Sequence, residues 1–153
     1  MPPSLTSSTS LTRLARLVAG GFGCGLIPRA PGTAGAAAAT LIAAGLIAVS
    51  PWLLAAAVLA AFGAGLWAIP TAAPSGDPGW VVIDEIAGQW VALLGLARPT
   101  VPALLVGFLL FRALDILKPG PIRAVESWPG ALGVMADDIL AGACAAVILA
   151  LVA

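Results

Sequence analysis

The sequence predicts an all-α, multi-helix integral membrane bundle, with about five spanning or deeply embedded helices and an N-terminal interfacial helix. Three observations carry this. The 153-residue chain is 61% hydrophobic and only 9% charged, with a mean hydropathy of +1.08, far outside the balance of a soluble domain. Its apolar residues fall in long runs of helical length. Clusters of proline and glycine separate those runs. The length fits one domain, and residues 11–153 form a single membrane-embedded unit after a flexible, Ser/Thr-rich stretch at 1–10.

The first element is an interfacial helix over LTRLARLVA, residues 11–19, with Leu11, Leu14, Ala15 and Val18 on one face and Arg13 and Arg16 elsewhere. It is too short and too charged to cross a hydrocarbon core, which takes roughly 20 apolar residues. The uncharged start and the two interrupting arginines are unlike a secretory signal, so no cleavage is expected. GGFGCGLIPRAPGTAG, residues 20–35, is a Gly/Pro-rich loop. Apolar helices at 33–50 and 51–69 form a hairpin turning at Ser50-Pro51, where proline suits a first helical position. PTAAPSGDPGW, residues 70–80, is a polar loop too short to separate domains. Helices follow at 81–97, 101–117 and 132–153, with KPGPIRAVESWPG as the loop before the last of them. Alanine richness throughout points to close helix packing.

If these five helices alternate in direction, the 20–35 loop, the start of the 81–97 helix, the end of the 101–117 helix and the start of the last helix share one leaflet. That side carries Arg13, Arg16, Arg29, Lys118 and Arg123, against Arg98 alone opposite. Positive residues mark the cytoplasmic side, so the shared face is expected to be cytoplasmic. The basic residues are too few and scattered for nucleic-acid binding.

Histidine is absent, which removes the commonest general base and many metal-site patterns. Cys24 and Cys144 form no CxxC pair, and Cys24 stands one position too close to Arg29 for a cysteine-phosphatase loop, so both read as packing thiols. The remaining chemistry rests on carboxylates. Asp84, Glu85, Asp115, Asp137 and Asp138 come from three helices to one depth of one leaflet, where they would repel one another unless compensated. A divalent cation taking oxygen ligands, such as Mg²⁺, resolves this economically. The plainer alternative is a set of helix N-terminal acids with an Asp115–Lys118 ion pair.

Arg112, Asp115 and Lys118 recur at three-residue intervals along FRALDILKPGPI, residues 111–122, and so share one stripe of a helix. Cations beside a carboxylate-held metal suit a phosphate. Arg29, in a loop whose glycines allow close backbone approach, is a further phosphate-binding candidate, with lipid head-group contact as its alternative role. Gly88 and Gly142 lie four residues after Asp84 and Asp138, so each is expected to let its helix pack tightly one turn below the site.

These blocks resemble the phosphatidylglycerophosphatase A family. GFGCGLIPRAPGTAG is similar to its N-terminal Gly/Pro motif, VVIDEIAGQWVAL to its Asp-Glu-x-x-Gly helix, FRALDILKPGPI to its Arg-x-x-Asp-x-x-Lys-Pro-x-Pro-Ile motif, and GALGVMADDILAGA to its Gly-x-Met-x-Asp-Asp-x-x-Ala-Gly motif. They occur in the family's order over most of residues 20–145. Gly120 replaces the bulky aromatic expected between the two prolines, and the alanines after Gly35 replace a more varied run.

The resemblance implies hydrolysis of the terminal phosphate of phosphatidylglycerophosphate, Mg²⁺ dependence and a bacterial inner-membrane location. It implies catalytic roles for Asp84, Glu85, Asp115, Asp137 and Asp138, with Asp84, Glu85, Asp115 and Asp138 as metal ligands. Arg112, Lys118, Arg29 and Thr33 are the expected phosphate-binding residues, Thr33 together with Pro31 and Gly32 in the first motif. Lipid phosphatases that depend on histidine are excluded, and the long signature of CDP-alcohol phosphotransferases is missing. A divalent-cation transporter is the rival from another class, but it needs polar groups further across the membrane than this one-leaflet cluster supplies.

Overall fold

The computed structural model describes residues 9–152; the expected flexible N-terminus lies outside them apart from residues 9 and 10. Helix α1 (Ser10–Ala19) starts where the Thr9 hydroxyl accepts the backbone N–H of Thr12. Its small residues Ala15 and Ala19 are buried, while Leu11, Leu14 and Leu17 stay exposed beside Arg13 and Arg16. This suits a helix lying in an interface. A short 3₁₀ segment, Gly21–Leu26, follows, with Phe22 and Gly23 at positive φ.

Proline sets the start of the next two helices. Pro31 opens α2 (Pro31–Val49), two residues before the expected start, and Pro51 opens α3 (Pro51–Ala72). At the turn between them the Ser50 hydroxyl accepts the Trp52 N–H at 3.3 Å. The chain continues through α4 (Ile83–Leu93), α5 (Val101–Leu117), α6 (Pro121–Glu126) and α7 (Gly130–Val152). No strand occurs among the described residues.

Among the described residues three helices, α2, α3 and α7, are long and apolar enough to cross a membrane. The 11 residues of α4 extend only about 17 Å and the 17 residues of α5 about 26 Å, against a hydrocarbon core of about 30 Å. α4 stops short of the expected 81–97 because the chain turns at Leu94 and Gly95. There a side chain on Gly95 would meet the Ala146 carbonyl at 2.5 Å. α6 occupies part of the expected 118–130 loop; six residues are too few to show helical periodicity in a sequence. It is reached through Lys118 at φ 44 and Gly120 at φ 32. The left-handed backbone at Gly120 favours glycine where an aromatic was expected.

Helix α4 is the centre of the bundle, with eight of its 11 residues buried and with α2, α3, α5 and α7 around it. Its most extensive interface is with α7. There the two expected packing glycines meet: a Cβ on Gly142 would lie 2.2 Å from the Gly88 carbonyl, and one on Gly88 would lie 2.6 Å from the Asp138 carbonyl. Neither backbone oxygen can rotate away as a side chain could. A second tie joins α2 to α4, where the Trp90 indole N–H donates to the Ala39 carbonyl at 2.8 Å.

Substituting Gly142→Ala is therefore expected to cost at least 1–3 kcal/mol, the usual range for overpacking. Gly63→Ala, in α3 with open space around it, should be neutral or slightly stabilising. Unfolding of both variants in detergent, followed by circular dichroism, checks the contrast.

Candidate active site

The close approach of α4 and α7 sets the site. Asp84 lies in the first turn of α4 and Asp138 one turn before Gly142 on α7, so the glycine contact carries their carboxylates together. With Glu85 they form a triad whose candidate ligand oxygens all lie within 4.8 Å of one another. Asp84 is 7% and Asp138 3% exposed, while Glu85 is half-buried. The N-terminal turn of α2 closes over Glu85, where a Cβ on Gly32 would fall 2.0 Å from Glu85 Oε1.

Asp115 adjoins this triad, its carboxyl within hydrogen-bonding reach of Asp138 and electrostatic reach of Glu85. It is bridged by Arg112 Nη1, one helical turn earlier on α5. Lys118 does not pair with Asp115. The left-handed turn at the end of α5 sends its ammonium to Asp137 Oδ2 at 2.5 Å and to Glu126 Oε1 at 2.6 Å. Asp137 Oδ1 also accepts the Asp138 N–H at 3.0 Å. Burial opposes the Lys118 charge, but the Asp137 and Glu126 hydrogen bonds outweigh it and hold its pKa above the ordinary lysine value. The stripe read from the sequence thus divides: Arg112 serves Asp115, and Lys118 serves the acids of α6 and α7.

Thr33 is half-buried in the first turn of α2, beside Gly32. No side chain caps that helix start, so the Gly32 and Thr33 N–H groups lack intrahelical partners next to Glu85. Arg29 is exposed, at φ 73, and makes no salt bridge among the described residues.

The triad fits a hard divalent cation. Asp84 Oδ1 and Glu85 Oε2 are buried oxygens with no hydrogen-bond donor. Such groups are costly unless something cationic meets them. Asp84, Glu85 and Asp138 together offer only oxygen donors, the chemistry that suits Mg²⁺.

Three participants were not singled out from the sequence. Glu126 is the second partner of Lys118, and its place follows from the unexpected α6. Gln89 is fully buried with neither end of its amide bonded; a lone amide one turn from Glu85 in an apolar helix was the available signal. Asp77 lies in the loop before α4 and, with Arg16, Ser75, Pro78 and Trp80, lines a cavity of about 610 Å³.

Loss of solvent holds the Asp77 carboxyl above its ordinary range, the Asp137 charge adds to this, and Lys118 opposes it. Because the folded pKa exceeds the unfolded one, the charged carboxylate destabilises the fold, and stability falls as pH rises through that interval. In metal-free protein, Asp77→Asn should therefore give a higher Tm than the parent at neutral pH. The difference should vanish well below pH 3.8, the ordinary value for this group. Thermal melts across pH test the sign.

The phosphatidylglycerophosphatase A family profile matches residues 17–153. A phosphatidylglycerophosphatase A of Escherichia coli strain K12 is 39% identical over 138 residues, covering 87% of this chain and 80% of the relative. One from Haemophilus influenzae is 37% identical over 145 residues, covering 91% and 88%. A Bacteroides thetaiotaomicron protein named "Putative phosphatidylinositol-3-phosphatase" is 38% identical over 143 residues, covering 88% and 90%. No solved structure matches. With the family's motifs gathered at one end of the bundle and its profile running over nearly the whole sequence, the chain belongs to the phosphatidylglycerophosphatase A family.

Proposed function

We propose that this protein hydrolyses the terminal phosphomonoester of phosphatidylglycerophosphate, giving phosphatidylglycerol and phosphate, as a step of phospholipid biosynthesis. Family membership supports the reaction and substrate. The observation that carries the chemistry is the buried Asp84, Glu85 and Asp138 triad with oxygens that no protein group satisfies. Mg²⁺ held by these three, with Asp115 as a further ligand candidate, would neutralise the cluster and polarise a phosphoryl oxygen.

The surrounding residues have separable tasks. Arg112, oriented by Asp115, offers a guanidinium to the phosphoryl oxygens. The unbonded N–H groups at the start of α2, with Thr33, face an anion in the way a helix N-terminus does, and Arg29 is available from the preceding loop. Lys118 and Asp137 keep the α5 end registered against α7, while the Lys118 charge adds to the positive field. Water attacks phosphorus and gives a proton to a site carboxylate; the bond from phosphorus to the glycerol oxygen breaks, and that oxygen takes up a proton. The alignment of groups at one depth supports this reading over an ion path, which would require polar residues further across.

The same reading places the protein in the bacterial inner membrane with the site toward the cytoplasm. It takes α4 and α5 as embedded helices that complete five alternating passes. The surplus of Arg13, Arg16, Arg29, Lys118 and Arg123 over Arg98 supports that orientation.

Purified protein should release phosphate from phosphatidylglycerophosphate in the presence of Mg²⁺ and lose that activity with a chelator. Asp138→Asn and Asp115→Asn should each lower kcat by roughly 100-fold or more, from the loss of a ligand or of the Arg112 anchor. Unchanged rates in both would remove the site assignment. No metal-dependent release from the parent would remove the reaction, and faster release from phosphatidylinositol 3-phosphate would reassign the substrate.

A further inference from the structure

Gln89 lies four residues after Glu85 on α4, on the same side and one turn, or about 6 Å, further along the axis. Helical side chains lean toward the N-terminus, so the amide projects toward the carboxylate layer. It is 0% exposed, and both its Nε2 and its Oε1 lack hydrogen-bond partners. A buried primary amide can donate twice and accept twice, and leaving all of this unmet is rare in folded proteins. An apolar side chain of similar length would fill the space at lower cost.

Two other unmet groups complement it. Glu85 Oε2 is a buried acceptor without a donor, and Arg112 Nε is a buried donor without an acceptor. Helices α4 and α5 approach closely at this level, where a Cβ on Gly88 would meet the ring of Phe111 at 2.6 Å. Glu85 and Arg112 also lie within electrostatic reach of each other. The amide's donor and acceptor ends therefore match the charge and polarity of one unmet group on α4 and one on α5.

We propose that Gln89 is a positioning residue for the cation site: its amide N–H₂ reaches Glu85 Oε2, and its carbonyl reaches Arg112 Nε, each through one buried water. The inference rests on the metal reading above. Gln89 would fix the rotation of the Glu85 carboxylate toward the ion and would tie that orientation to the arginine that meets the phosphate. Partners of this kind behind a metal ligand usually alter metal affinity by 10–100-fold.

The test uses the full chain in detergent micelles with Mn²⁺ as the probe. Apparent Kd is read by electron paramagnetic resonance and, separately, by metal-dependent Tm. Gln89→Met, whose side chain has similar length, should still melt cooperatively without metal, yet bind Mn²⁺ about tenfold more weakly. Gln89→Leu serves if the methionine variant does not fold. If Glu85→Gln weakens Mn²⁺ binding while the Gln89 variant binds as the parent does, the inference is overturned and the metal reading stands. If the parent shows no saturable Mn²⁺ binding, the metal reading falls and this inference falls with it.

Discussion

Contact between the backbones of α4 and α7 at Gly88 and Gly142 is the constraint on which the rest of the molecule depends. With no side chain at either position, the helices approach until carbonyl oxygens sit where Cβ atoms would be. Asp84 and Asp138 lie one turn above and inherit that closeness. In water two carboxylates at such separation would repel only modestly, but in a buried setting the repulsion and the lost hydration are several-fold larger. Apolar packing below the site therefore holds the carboxylates together against their own electrostatics. A metal ion is the natural complement of such a frame.

Compensation is unevenly distributed around this frame. Arg112 is committed to Asp115, and Lys118 to Asp137 and Glu126. These bonds leave no basic group for the triad of Asp84, Glu85 and Asp138 among the salt bridges of the described residues. A fold selected only for stability would spread the available cations over all the acids. Here the outer acids are matched and the inner ones left open, which separates the groups that align helix ends from those free to take a ligand.

Much of this was legible in the sequence because its signals are local. Apolar runs, proline starts and the Ser50-Pro51 turn located α2, α3, α5 and α7 to within a few residues, and the four-residue spacing from Asp84 to Gly88 and from Asp138 to Gly142 announced the tight crossing. Partner choice was less accessible. Three-residue spacing groups Arg112, Asp115 and Lys118 on one stripe, but Lys118 adopts the left-handed conformation at the helix end, and one such residue redirects the side chain to α6 and α7. The end of α4 was hidden for a similar reason: Gly95 faces a carbonyl of α7, and a tertiary contact leaves no mark on hydrophobic periodicity. Gln89 was visible as a lone amide, yet only burial without partners gives it significance.

The short, enclosed α4 has a mechanical consequence. The helices α2, α3 and α7 are long and apolar enough to cross a bilayer, whereas α4 packs almost wholly against protein. Beyond its far end, Leu96 joins Leu93 in a cluster with Ile47, Leu54 and Leu149, which anchors this end in the bundle's apolar interior before the chain emerges at Ala97 and Arg98. Thinning or thickening of the membrane would tilt the outer helices while the helix bearing Asp84 and Glu85 rides within them. Asp84 and Glu85 ride on this sheathed strut, and the backbone contact of Gly88 with Gly142 ties Asp138 of α7 to them, so the spacing of the three carboxylates would depend on that one crossing rather than on the tilt of the outer helices.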